Sequence, residues 1–246
     1  MEEDRVAFSF KPLRGGAASV ETRSLFRPAG PDLGATIVKE KGEYGFTREI
    51  FKDASPEDRA KAWPAIEHRA SYRLEPTGAL LCRHVFVVPK AFDDLPRLGV
   101  RMTLAPSLEN LTWFGPGPLE SYPDRREGSI VGTFASTVAD QFFPYIVPQE
   151  HGHHVDARWL TLADARGRGL QFQAEGANFG FNATHMPDEV LWPAKHVSEL
   201  KPEENVTLYL DAAHRGLGTG SCGPDTRPAY RIRPGAYRLA YWVFPV

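Results

Sequence analysis

The chain has 246 residues, room for one large β domain or two small ones. It is 42% hydrophobic and 24% charged, the balance of an ordinary globular protein, and a formal net charge of −2 draws it to neither nucleic acid nor an acidic membrane. Its two cysteines, Cys82 and Cys222, exclude a disulfide framework, and no apolar run approaches the roughly 18 residues of a spanning helix. The 22 glycines and 21 prolines disfavour a helical bundle and suit short strands with tight turns. The acidic start MEEDRVAFSF lacks the basic and apolar regions of a signal peptide, so a cytoplasmic location is expected.

Residues 1–50 form a poorly defined N-terminal region, in which 6–10 read as a strand and Gly15-Gly16 as a turn. Ser55, Pro56, Glu57 and Asp58 predict a helix start: an N-cap, a proline at the first helical position, and acids at the positive end of the dipole. That helix runs about two turns before Pro64 stops it. From Glu67 onward strand follows strand. Ala70, Tyr72 and Leu74 alternate with polar neighbours, and 80–88, 98–104, 130–134, 158–162, 170–174, 178–182, 206–211 and 236–244 read likewise, with 230–232 as a further short one. Residues 142–148 are aromatic and broken by proline, an edge or an ordered loop. Residues 187–200 hold at most one helical turn before Pro193. About a dozen short strands predict an all-β chain, a large antiparallel two-sheet sandwich with one short helix over 51–246.

The stretch NLTWFGPGPLESYPDRR, residues 110–126, begins as a strand and enters Gly115-Pro116-Gly117-Pro118, which continues neither a helix nor a central strand. A stiff loop then presents Glu120, Tyr122, Asp124, Arg125 and Arg126. Two readings stand. One is a buried polar corner in which Arg125 pairs a carboxylate and Tyr122 caps a backbone group. The other is a sugar or partner contact at a sheet edge. In the first, Glu120, Asp124 and Arg125 form one cluster, and removing a member would cost roughly 3–5 kcal/mol if it is buried.

A second polar stretch, residues 148–159, sets His151, His153 and His154 beside Glu150 and Asp156 and ends in Arg158-Trp159. Three histidines near two carboxylates invite a metal reading. No helical H-x-x-x-H spacing is present and both cysteines are remote, so no metal site is assigned. Glu150 reads as a buried hydrogen-bond hub with Arg158 or Arg125 as donors. Trp113, Trp159, Trp192 and Trp242 offer faces for a sugar ring, although tryptophans on alternating strands normally fill the core.

These stretches carry a family resemblance. WFGPGPLESYPDRR, which includes Trp113, Gly115, Gly117, Glu120, Tyr122, Asp124 and Arg125, resembles the W-x-G-x-G-P-x-E-x-Y-x-D-R signature of a β-galactosidase domain. It is the C-terminal domain of large bacterial enzymes of glycoside hydrolase family 2, also found as the small chain of two-chain enzymes. Pro144, Tyr145, Pro148, Glu150, Gly152, Arg158 and Trp159 are similar to a second signature, with His151 where Asn is common. Residues 208–224, 182–185 and 194–200 resemble three more segments, and the likeness covers about three quarters of the chain. Residues 25–29 are weakly similar to the family's lead-in to this domain, from which Gly30-Pro31-Asp32 departs.

The resemblance implies the many-stranded supersandwich shared with aldose mutarotases. It implies that the glycine-rich loop, through Gly220, Ser221 and Cys222, reaches a sugar subsite, with Cys222 where a Trp or Cys stands in the family. A thiol offers far less stacking surface than an indole. An activated Cys222 nucleophile, with His214 as its base, is the competing idea. A retaining glycosidase needs two carboxylates about 5 Å apart. Neither Glu120 with Asp124 nor Glu150 with Asp156 has such a context, and in the family both lie in a barrel of about 250 residues, too long for this chain. The implied partners are a barrel-containing large chain or N-terminal domains, a β-galactoside such as lactose, and an oligomer. No cofactor is implied on this chain, and a complete enzyme would carry Mg and Na. A free-standing mutarotase-like aldose-binding protein or epimerase is the alternative, with His185 and Glu150 as acid and base. A purely structural assembly domain is the third reading.

Overall fold

The computed structural model describes residues 2–27, 36–41, 47–52, 64–219 and 223–246. In chain order its strands are β1 (Glu2–Pro12), β2 (Ala18–Arg27), β3 (Thr36–Lys41), β4 (Thr47–Lys52), β5 (Ile66–Leu74), β6 (Leu80–Val88), β7 (Arg97–Leu104) and β8 (Asn110–Gly117). They continue as β9 (Ile130–Thr137), β10 (His154–Ala157), β11 (Trp159–Ala163), β12 (Gly169–Ala174), β13 (Phe179–Thr184), β14 (Val206–His214) and β15 (Gly235–Pro245). Nine form one sheet in the order β1-β2-β5-β6-β15-β12-β11-β8-β9. Four form a second, β10-β13-β14-β7, and β3 pairs with β4 as a separate hairpin. The pairings are antiparallel, giving the expected two-sheet sandwich. No described helix is long and apolar enough to cross a membrane.

The core follows from the period of two. Leu111 and Trp113 of β8, Leu160 and Leu162 of β11, Phe172 of β12, and Leu239 and Tyr241 of β15 are buried on one face of the large sheet. Register sets Trp113 beside Leu160 and Leu160 beside Phe172, so each strand packs against its neighbour on the same face. Facing them from the small sheet are Phe179, Phe181, Ala183, Val206, Leu208 and Leu210. Each fully buried large side chain contributes about 1.5–3 kcal/mol relative to exposure. Residues 206–211 of β14 are buried on both faces, because the far face of the small sheet lies under loops. There Tyr209 accepts the Asp188 amide through its hydroxyl and carries the Arg97 guanidinium over its ring at 4.1 Å.

Departures from the expected elements have local causes. Residues 230–232 are not a strand: Pro228–Tyr230 is a 3-10 turn and Ile232 makes a single bridge to Leu95. The short strand β10 lies in a stretch that shows no alternation, its register against β13 broken between His154 and Ala157 where Asp156 takes a positive φ of 54°. The helical turn before Pro193 is present at Asp188–Leu191. The helix expected from Ser55 to Trp63 falls outside the described residues.

Candidate functional site

Two polar foci lie at one end of the sandwich, and both start from the loop after β8. Gly117 precedes a cis proline, and a Cβ there would stand 2.7 Å from the Phe134 ring. Only glycine lets the chain leave the sheet so close to that ring. The Trp113 indole donates to the Pro116 carbonyl at 3.1 Å, fixing the turn from inside the core. Arg158 and Trp159 brace the same strand from β11: the guanidinium lies over the Phe114 ring and Trp159 pairs with Phe114. Ser121 ties the loop to the histidine stretch, donating its amide to the His153 carbonyl at 2.6 Å and accepting from the Val155 amide at 3.1 Å.

The expected cluster of Glu120, Asp124 and Arg125 is two separate networks. Glu120 accepts from Arg125, from the Tyr145 hydroxyl, and from the Gly152 amide at 2.7 Å, so it stitches both polar stretches together. Arg125 is half exposed, so it is the weak member. Asp124 faces away and accepts the amides of Leu217 and Gly218 at 3.0 and 2.8 Å. Tyr122 is fully buried, its phenol pushed up by burial, with its ring stacked on His153.

The second focus is centred on Glu150, and its donors differ from those expected. Arg97 donates to Glu150 Oε1 at 3.1 Å and its Nε lies 3.2 Å from Asp211 Oδ2. His214 Nε2 is 3.7 Å from the same Glu150 oxygen, and the Asn182 amide donates to it at 3.4 Å. Arg158 and Arg125 are engaged elsewhere, by the Asp156 carbonyl and by Glu120. Burial raises the Glu150 carboxyl, but Arg97 and then His214 more than offset this and hold it at about 2. His153 is fully buried beside Asp211 at 3.5 Å, and burial keeps it neutral.

Local backbone features build this group. A Cβ on Gly99 would meet Asp211 Oδ1 at 2.6 Å, and one on Gly180 would meet the His153 ring at 2.6 Å, so these glycines leave space for both side chains. The register of β14 against β7 shifts between Asp211 and Ala213, a bulge that re-aims His214. A cleft of about 660 Å³ opens from Glu150, His214 and Arg97, walled by Leu191, Trp192 and Leu217. Trp192 is 91% exposed on that wall, whereas Trp113 is core and Trp242 donates to Glu175. The core reading of the tryptophans therefore fails for Trp192.

The alternative acid/base pair is not assembled. His185 bonds Glu109 at 2.8 Å and the Asn205 carbonyl, a different network from that of Glu150. Of the three clustered histidines only His153 joins Glu150 and His214: His154 bonds Gln141, and His151 bonds the Gln149 carbonyl. Gly220, Ser221 and Cys222 fall outside the described residues. Cys82, inside the apolar strand 80–88, is buried in the core and its thiol is pushed up to about 11. Arg97 carried no sequence signal. Asp211 and His214 lie within the segment 208–224, where Asp211 reads only as the end of a strand and His214 as a base for Cys222 rather than as a partner of Glu150.

The fold and these foci define a large antiparallel sandwich domain with a polar cleft, beside which Asp124 holds the start of a glycine-rich loop, and with its carboxylates tied into structural networks. Residues 33–243 match the family described as the β-galactosidase small chain, and the chain belongs to that family. It is 37% identical over 169 residues to a β-galactosidase of Arthrobacter sp. (strain B7), covering 66% of this chain and 17% of that protein. A β-galactosidase of Staphylococcus xylosus is 35% identical over 187 residues, 76% of this chain and 18% of that protein. One of Lactococcus lactis subsp. lactis (strain IL1403) is 30% identical over 203 residues, 82% and 20%. The chain thus spans about a fifth of the length of these relatives or less.

Proposed function

We propose that this chain completes the galactoside site, and the assembly, of a β-galactosidase whose two catalytic carboxylates lie in a barrel-containing domain or partner chain. The observation that carries the reading is the grip of Asp124 on the Leu217 and Gly218 amides, which anchors the glycine-rich loop at the mouth of the cleft. The exposed Trp192 face on the cleft wall adds a surface suited to a pyranose ring. The candidate carboxylates support a non-catalytic role. A glycosidic acid needs a raised pKa, whereas Glu150 is held at about 2, and Glu120, Asp124 and Asp156 are engaged by Tyr145, the loop amides and Arg126.

The test is hydrolysis of an aryl β-galactoside by the pure chain, then by the chain mixed with the barrel-containing remainder of its enzyme. No turnover is expected from the chain alone, with activity in the mixture. Turnover by the pure chain that Glu150→Gln abolishes would overturn the proposal.

A further inference from the structure

We infer that Glu150, His153 and His214 form a binding site for one zinc-class divalent cation, with the remaining coordination position open to the cleft. Each side chain offers one ligand atom, and these atoms lie within 4.8 Å of one another. Zinc–nitrogen bonds of about 2.0–2.1 Å set tetrahedral ligands about 3.3 Å apart, so the site closes by rotations of about 1 Å. Glu150 and His214 both line the cleft, so an ion can reach them from its open side.

The three ligands are already prepared. His153 is fully buried, yet neither ring nitrogen has a hydrogen-bond partner. Buried polar atoms are almost always satisfied, so such a ring between two other donors points to an ion. The His214 Nδ1 lies 2.6 Å from the Arg215 carbonyl, which it can bond only by donating, so Nε2, 3.7 Å from Glu150, is the ring atom that a cation takes by displacing its proton. Asp211, whose Oδ2 lies 3.5 Å from His153 Nδ1 without a hydrogen bond, is the carboxylate that would accept this N–H once the ring is ligated. The Arg97 and Asn182 bonds of Glu150 both fall on Oε1, so Oε2 keeps its lone pairs for the cation.

The donor set decides the class of ion. Two imidazoles and one carboxylate suit zinc, cobalt, nickel or copper, whereas magnesium and calcium require more oxygen ligands. The Arg97 guanidinium beside the same carboxylate weakens binding, so micromolar rather than nanomolar affinity is expected. The cleft supplies an entry path, and the open position faces it, as in three-ligand zinc sites that bind water or an anionic or hydroxylic ligand. The inference does not rest on the galactosidase reading.

The experiment is calorimetric titration of zinc chloride into the chelator-treated 246-residue chain. One zinc per chain is expected. His214→Ala and Glu150→Gln should each weaken uptake at least tenfold with an unchanged circular dichroism spectrum, and His196→Ala, an exposed histidine in another network, should leave it unchanged. Because a site variant can unfold, pulsed EPR of the wild-type chain loaded with one copper(II) gives an independent readout, and couplings from two imidazoles are expected. Absence of saturable one-to-one uptake, uptake that survives His214→Ala in a folded chain, or a copper spectrum without imidazole couplings would overturn the site.

Discussion

The Asp124 carboxylate accepts the backbone amide of Gly218 at 2.8 Å, joining the polar loop after β8 to the start of the glycine-rich one. The same carboxylate takes the Leu217 amide, and a Cβ on Gly216 would stand 2.5 Å from its carbon. Asp124→Ala should cost about 2 kcal/mol, since bonds to a charged acceptor are worth about 1.5–3 kcal/mol each and this site is partly solvated. Gly216→Ala should cost a similar amount by displacing the carboxylate. The double variant should be clearly less than additive in urea denaturation, because both lesions break one contact. Additive losses would show the two to be independent.

Glu120 and Arg125 should separate in energy. Glu120→Ala leaves the Gly152 amide and the Tyr145 hydroxyl without their acceptor, and a loss of about 2–3 kcal/mol is expected. Arg125→Met should cost under about 1 kcal/mol, because the guanidinium is half exposed and its pair is screened. A fully buried cluster would lose about 3–5 kcal/mol at either position. Equal melting-temperature shifts for the two variants would restore that picture.

His84 sets an acid limit. It is 2% exposed between the Tyr241 and His68 rings, with Tyr72 edge-on, and it bonds His68 at 3.0 Å. Burial, helped by His68, lowers it from 6.5 to about 4. The unfolded chain therefore binds the extra proton first, so stability is full above about pH 6.5 and falls as pH drops towards 4, by up to about 3 kcal/mol from this group. His84→Phe should flatten this part of the stability profile. An unchanged slope between pH 6.5 and 4 would show that the histidine is not held neutral.

Trp192 should matter to ligand and not to folding. At 91% exposure it packs too little to stabilise the chain, so Trp192→Ala should change stability by less than about 0.5 kcal/mol. In the assembled enzyme the same change should raise KM for an aryl galactoside severalfold, with a smaller effect on kcat. An unchanged KM would remove Trp192 from the sugar path.

Period-two alternation with glycine and proline punctuation determined the β architecture: β6 spans Leu80–Val88 as read, and β12, β14 and β15 lie close to their expected bounds. Alternation reports a half-buried pleated surface, and that is a local property of the chain. The two loop motifs were also legible, because glycine, proline and charged residues at short spacing mark turns with polar contents. Which charge meets which was not. Asp124 and Arg125 are adjacent in sequence but point into different networks, and Arg97, His153, Asp211 and His214 come from three segments with no shared pattern. Their meeting depends on the β7–β14 register, one bulge, and the space left by Gly99 and Gly180. A single-residue shift in register turns every side chain of a strand to the other face, so pairing between distant strands, which only the folded core selects, decided the second focus.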